Sequence, residues 1–360
     1  MATQAWRDGT GDIDKQFKCH EMSADPPKVL MITNVQQLAR RMDKSVYYRS
    51  RALSGHRNVT VTGPGCDAFH RGMPVQDLLN RFGRPDFLIH GLDLGATGVP
   101  LVSGLADLDI PTAMEIEDPW EAQEVRQRFL RENCFDYTFH TTRPLEAAYQ
   151  EACPSTRFIW TPVAVRTDIF RDYGIEKTND ILFYGAVRDA YPLRVRLLRL
   201  LEDMGRSGGL RVKIIPHPGY WDDGYVTQDA HYVGEKLAQE INRSWITIAT
   251  GSVYGCLFAK HLETAAAKSF VAGSLPDAIR PFFGRGFADL DAKEDGEIVD
   301  RLHALLGDKD ELTARTEEGY RRIRADFSVE AYSRNMVDLI DRLVSTGKRR
   351  SGTPAADVSS

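Results

Sequence analysis

The sequence predicts an α/β fold of two Rossmann-like, doubly wound domains that face each other across a cleft. Three observations carry that expectation. Short apolar runs bounded by turn residues alternate with longer amphipathic stretches, which is the pattern of βαβ units with parallel strands. The alternation stops in a polar stretch near the middle of the 360 residues and then begins again. In the second half, glycine-bearing loops follow the strands, at the edge where an open parallel sheet binds its ligands.

Residues 1–27 are polar and read as a flexible N-terminal segment. A strand is expected from Lys28 to Thr33, then a helical stretch through Tyr47 to Leu53, then a strand from Asn58 to Thr62. A short helix from Val75 to Phe82, with Val75, Leu78, Leu79 and Phe82 on its apolar face, leads to a strand from Asp86 to His90. Further strands are expected at Thr112 to Ile116, Tyr137 to His140 and Phe158 to Trp160, with a charged helical stretch from Trp120 to Arg131 between the first two. These elements make one domain over residues 28–165, and residues 166–179 read as a linker.

The second domain is expected over residues 180–328. It opens with a strand from Asp180 to Tyr184, turns at Gly185, and enters a helix with Pro192 near its first position and Leu197, Leu198, Leu200 and Leu201 toward the core. Strands follow at Arg211 to Ile215, Trp245 to Ala249, Ser269 to Ala272 and Gly286 to Ala288, with helices near Gly234 to Ile241, Phe258 to Lys268 and Glu297 to Leu306. Helix formers continue past Leu312 with a break near Phe327 and Ser328, so residues 329–346 read as a C-terminal helix and 347–360 as a disordered tail.

Composition narrows the function classes. Lys and Arg number 46 against 51 Asp and Glu, a net charge of −5, which leaves no electrostatic footprint for a nucleic-acid or membrane-surface protein. No apolar run approaches the roughly 20 residues that span a bilayer, and the polar start lacks the apolar centre of a secretory signal, so a cytoplasmic protein is expected. Cys19, Cys66, Cys134, Cys153 and Cys256 are scattered without metal-ligand or C-x-x-C spacing and read as buried thiols. The loops after the second-half strands are Gly185 to Arg188, Pro216 to Gly219, Thr250 to Tyr254 and Gly273 to Leu275. None is a G-x-G-x-x-G or Walker loop, which counts against hydride transfer and P-loop phosphoryl transfer.

The segment from Tyr254 to Gly273 is the most specific. Lys260, His261, Leu262 and Glu263 are followed by the small residues Thr264 to Ala267 and a buried strand. This stretch resembles the donor-binding region of GT-B glycosyltransferases, in particular those similar to the spore maturation protein CgeB. The resemblance extends over Lys28 to Leu343 through the order of its parts: the Lys28 to Ile32 opening, Trp160-Thr161-Pro162, Asp180 to Gly185, and a helix after Asp326-Phe327-Ser328. It implies a nucleotide-diphosphate sugar as co-substrate, no bound cofactor or metal, and a sugar moved to a hydroxyl or amine. It also implies that Glu263 accepts from ribose hydroxyls while Lys260 and a helix N-terminus offset the diphosphate charge. Gly255 stands where many retaining relatives carry a second glutamate, and lysine at 260 where arginine is common, so the stereochemistry stays open.

Each candidate has a structural alternative. Lys260 and Glu263 also suit an exposed i,i+3 ion pair. His217, between two prolines, is placed to donate to a phosphate or sugar hydroxyl, or to fix its own turn; Arg188, just past Gly185, is placed to reach a diphosphate. Tyr254, or Tyr220 with Trp221, is placed to stack a nucleobase or to cap the core. On the acceptor side Asp118, after the strand ending at Ile116, is the first candidate for a base; its alternative is a helix N-cap ahead of Pro119. His140, His90 and Asp93 are reserves, and Tyr47, Tyr48 and Arg49 line either an acceptor pocket or a polar helix face. The strings Asp107-Leu108-Asp109 and Asp289-Leu290-Asp291 match a metal-binding D-x-D pattern, but the tandem α/β plan favours no metal. A small-molecule acceptor, with a homodimer as one possible assembly, completes the expectation. Two alternatives remain at this stage, a nucleotide-sugar epimerase or hydrolase on the same architecture and a non-catalytic nucleotide-sugar-binding protein.

Overall fold

The computed structural model describes residues 26–35, 53, 58–91, 101–217 and 232–346. The expected Tyr47 to Leu53 helix (apart from Leu53), Asp93, Tyr220, Trp221 and both termini lie outside the described residues. The first domain holds a six-stranded parallel sheet in the order β2-β1-β4-β6-β7-β8. These strands are β1 (Val29–Ile32), β2 (Val59–Thr62), β4 (Phe87–His90), β6 (Thr112–Ile116), β7 (Tyr137–His140) and β8 (Arg157–Trp160). A separate two-stranded parallel pair joins β3 (Met73–Pro74) to β5 (Val102–Ser103). Three helices, α1 (Val75–Phe82), α2 (Gln123–Glu132) and α3 (Glu146–Ala152), complete the described part of this half.

The second domain is a five-stranded parallel sheet, order β10-β9-β11-β12-β13. Its strands are β9 (Asn179–Tyr184), β10 (Val212–Ile215), β11 (Ser244–Ala249), β12 (Phe270–Gly273) and β13 (Phe287–Asp289). The helices that follow are α4 (Pro192–Arg206), α5 (Gly234–Asn242), α6 (Ala259–Ala266), α7 (Arg280–Phe283), α8 (Asp295–Gly307), α9 (Lys309–Phe327) and α10 (Val329–Thr346). All strand pairs in both large sheets are parallel, because each crossover runs over a face of its sheet and returns the chain to the starting edge. The strand order reverses between β9 and β11, and the crevice for a ligand opens at the carboxyl ends of those two strands.

Both faces of each sheet are covered, which is why the strands read as nearly continuous apolar runs. In the second domain Ile181 and Phe183 face one layer with Leu197, Leu201 and Leu302, while Leu182 and Tyr184 face the other with Ala238, Ile241 and Leu262. One face of the first sheet is covered from far away in sequence. Tyr332, Met336, Leu339, Ile340 and Leu343 of α10 pack on Val29, Met31, Phe87, Ile89 and Phe139. The last helix therefore leaves the second domain and completes the core of the first. It crosses beside the outgoing chain: Val165 N–H donates to the Phe327 carbonyl at 2.8 Å and Val329 N–H to the Val165 carbonyl at 3.1 Å. Arg324 adds donations to the carbonyls of Thr167 and Phe170.

Three expectations need correction. Phe82 is exposed rather than on the buried face of α1, with the Arg81 guanidinium over its ring. Among the cysteines, Cys153 and Cys256 are buried, Cys66 is half-buried and Cys134 is exposed. The charged helical stretch begins at Gln123 rather than Trp120, because Ala122 adopts a left-handed backbone (φ 46°) that ends the preceding turn.

Candidate functional site

The carboxyl edge of the second sheet gathers positive charge around Gly185. This glycine has φ +104°, and a Cβ there would lie 2.7 Å from Lys260 Nζ and 3.8 Å from an Arg194 guanidinium nitrogen. Two cations therefore approach the same point of backbone, and only glycine leaves that point open. Lys260, in the first turn of α6, donates to the Tyr184 carbonyl at 2.7 Å and sits 4.4 Å from the Tyr184 ring centre. Burial, reinforced by Arg194 and partly offset by Glu263, holds its amine well below the ordinary lysine range. His217, after β10, faces the same group: burial first, then Lys260, Arg188 and Arg194, lower its pKa.

Arg194 is the residue that sequence reading missed. It is buried in the first turn of α4, where the run Arg194, Arg196 and Arg199 resembles a solvated helix face. Its guanidinium donates to the Ala186 carbonyl (2.8 Å), the Thr250 hydroxyl (3.0 Å) and the Thr250 carbonyl (3.1 Å), and it stacks over Tyr191 at 4.1 Å. These bonds tie the loop after β9 to the loop after β11, the two loops of the crevice. The loop after β9 leads into the N-terminus of α4, whose dipole adds positive potential there.

Glu263 is buried and accepts from the Tyr184 hydroxyl at 3.4 Å. With Glu263 inside and Lys260 half-buried, the exposed ion-pair alternative does not describe them. Between them His261 braces α6. Its Nε2–H donates to the Ser274 carbonyl at 2.9 Å, and its Nδ1 accepts from the Phe258 N–H at 3.2 Å. Full burial lowers its pKa to about 4, opposed by the Phe258 and Ser274 carbonyls and reinforced by Lys260 and Arg194, so the ring is neutral at pH 7.

On the opposite side of the cleft, Asp118 does not cap a helix; the cap position is Ala122, with no side-chain cap bond. The loop that carries Asp118 is held from beneath. The Glu117 carbonyl accepts from Thr141 Oγ1 at 2.9 Å, the Asp118 carbonyl from Arg126, and the Pro119 carbonyl from the buried Tyr149 hydroxyl at 2.8 Å. The Asp118 charge is felt by Cys256 of the second domain.

His140 is placed differently. It is buried, its Nδ1–H donates to the Thr142 carbonyl (3.2 Å), and Nε2 lies 3.3 Å from Glu146. Burial raises the Glu146 carboxyl, but the His140 ring and Arg143 outweigh it and hold the group below its ordinary range. His90 is core, packed on Phe129 and Phe135. Tyr254 neither caps the core nor stands free, because it stacks on Trp120. The D-x-D strings are otherwise engaged: Asp109 pairs with Arg84, Asp289 with Arg280, and Asp289 also accepts from the Asp291 N–H. Among the described residues, no group of three His, Cys, Asp or Glu side chains is arranged to hold a metal, and no helix is long and apolar enough to cross a membrane.

Two parallel-sheet domains across a cleft, with the last helix returning to the first domain, define the GT-B glycosyltransferase fold. The sequence family described as glycosyl transferase-like matches residues 194–338, spanning α4 to α10. Among solved structures, the chain is similar to an alpha-glucosyltransferase (AGT) in complex with UDP, at 12% identity and a TM-score of 0.57 over 87% of this chain and 99% of that one. It is similar to a sucrose-phosphate synthase from Thermosynechococcus elongatus at 12% identity and a TM-score of 0.56, over 89% and 99% of the two chains. It is also similar to Anabaena Alr3699/HepE in complex with UDP and glucose, at 10% identity and a TM-score of 0.52 over 87% and 99%. No curated protein matches the sequence.

Proposed function

We propose that this chain is a glycosyltransferase that moves a hexosyl group from a nucleotide-diphosphate sugar to a hydroxyl or amine of a small-molecule acceptor. One observation carries the reading: Lys260 and Arg194 converge on Gly185 at the strand-order reversal of a GT-B second domain, and their charges, with that of Arg188, reach His217. In that place a diphosphate relieves the mutual repulsion of the cations and favours the charged form of Lys260. Glu263, oriented by Tyr184, takes the ribose hydroxyls.

In the transfer, the bond from the anomeric carbon to the phosphate oxygen breaks and a bond to the acceptor oxygen or nitrogen forms. The leaving diphosphate gains negative charge, which the fixed cations and the α4 N-terminus stabilise without reorganisation. The acceptor proton passes to Asp118 in an inverting reaction or to the departing phosphate in a retaining one. No step calls on a metal. In this reading the protein acts in the cytoplasm, and the motif order relates it most nearly to the CgeB-like transferases.

UDP is the first probe, because two structural neighbours are described with it. A nucleotide at 100 times its Kd should stabilise the fold by about 2.7 kcal/mol in a thermal-shift measurement. The shift should vanish in Glu263→Ala and shrink in Glu263→Gln. A folded wild-type protein that responds to no nucleoside diphosphate or nucleotide sugar would overturn the proposal. Nucleotide release without any acceptor would assign the site to hydrolysis or epimerisation instead.

A further inference from the structure

Among the contacts between the two domains is a pair of aromatic rings. The Trp120 indole, from the loop after β6, and the Tyr254 ring, from the loop after β11, stack with centroids 4.5 Å apart and planes 2° from parallel. Two further contacts join the same regions. Thr142 and the Cys256 thiol are neighbours across the cleft, where Thr142 partly offsets the burial that raises the thiol's pKa. A Cβ added at Gly255 would lie 3.2 Å from Pro144 Cγ. Tyr254 keeps 39% of its surface exposed and its neighbour Val253 keeps 61%, so the ring pair is a partly exposed bridge, while Thr142 and Cys256 beside it are buried.

Both sides of the bridge are stiff. Trp120 follows a loop whose three preceding carbonyls are held by Thr141, Arg126 and Tyr149. Tyr254 is four residues from Thr250, which Arg194 ties to Ala186, and the Val253 N–H donates to the Ala190 carbonyl at 3.0 Å. A continuous set of fixed groups therefore runs from the Asp118 loop, through the two rings, to the cations around Gly185. Offset or parallel ring contacts add attraction beyond the area they bury, and they set orientation as well as distance.

We propose that Trp120 and Tyr254 form an aromatic clasp, a positioning pair that holds the Asp118 loop of the first domain against the ligand loops of the second and so sets the closed geometry of the cleft. The catalytic half of this proposal rests on the transferase reading; the clasp as an interdomain contact does not. Small displacements of reacting groups cost on the order of a hundredfold in rate, so loss of the clasp acts on turnover while the nucleotide site within the second domain is left intact.

The test has an arm that needs no ligand. In a Thr142→Cys variant with Cys19, Cys66 and Cys134 replaced by serine, a new thiol faces Cys256 across the cleft, and diamide oxidises the two to a disulfide at a rate that reports closure. Adding Trp120→Ala should slow that rate at least fivefold, and Trp120→Phe, which keeps a ring, should recover it. In the second arm, on the otherwise unaltered chain, Trp120→Ala should lower kcat at least tenfold while the Kd for UDP changes less than twofold, with Trp120→Phe recovering most of kcat. Disulfide formation as fast in Trp120→Ala as in its parent overturns the clasp. Slowed disulfide formation with an unchanged kcat overturns its positioning role. If wild type binds no nucleotide while Trp120→Ala still slows the cross-link, the transferase reading fails and the clasp stands.

Discussion

His261 offers the sharpest physical test, because its protonation is coupled to the segment that presents Lys260 and Glu263. Its folded-state pKa is about 4, against an ordinary value of 6.5 in the unfolded chain. Between those two values the unfolded chain binds the extra proton and the folded one does not, so this group's contribution is fully present above pH 6.5 and is lost as the pH falls toward 4. At about 1.4 kcal/mol per pH unit, the loss should reach about 2 kcal/mol between pH 7 and 5 and about 3 kcal/mol by pH 4. Urea unfolding of wild type and His261→Gln across that range isolates the effect, since glutamine retains an amide donor for the Ser274 carbonyl but does not titrate. Wild type should fall more steeply than the variant by those amounts. Parallel curves would show that the ring is protonated in the folded state and would refute the neutral, two-bond bracing of α6.

Other residues give independent tests. Lys260→Met should leave the fold intact but weaken nucleoside diphosphate binding at least tenfold by calorimetry, since it removes a desolvated cation from the site. Because burial, reinforced by neighbouring cations, holds that amine and the His217 ring below their ordinary pKa values, an anionic ligand should raise both. Binding should therefore tighten as the pH falls from 8 to 6, and a Kd unchanged over that range would contradict the cluster. Leu339→Ala, on the face of α10 packed against the first sheet, should cost about 2–5 kcal/mol in denaturant unfolding, whereas a helix merely appended to the surface would lose far less. Gly273→Ala should be severely destabilising or fail to fold, because with φ +149° the added Cβ would lie 1.9 Å from the Ala249 carbonyl oxygen.

Much of the architecture was legible because parallel strands buried on both faces leave an apolar run that sequence alone exposes. The strands from Thr112 to Ile116, Tyr137 to His140 and Trp245 to Ala249 stand out in this way, as does Pro192 at a helix start. Loop positions after the strands followed from the same reading, since ligand loops of an open sheet lie where the strands end. The α3 helix and the β3–β5 pair were not read, being short and without a clear period. Local rules also misplaced the start of the Trp120 to Arg131 stretch, where the turn ahead of α2 depends on a left-handed Ala122 that nothing in its composition announces.

Sequence by itself determined the periodicities: two runs of alternating elements, glycine after β9 and a lysine followed three places later by a glutamate in a small-residue helix. These are local properties, set by side-chain chemistry within a few residues of one another. Tertiary structure decided which charges meet. Arg194 carries the helical signature of a surface cation and becomes a buried strut only because Ala186 and Thr250, in the loops after two different strands, come together at the strand-order reversal. The α10 helix has an apolar stripe that does not name its partner, and the crossing at Val165 and Ser328 hands it to the first sheet. Trp120 and Tyr254 are 134 residues apart, and their parallel stack exists only because two separately folded sheets face each other across the cleft.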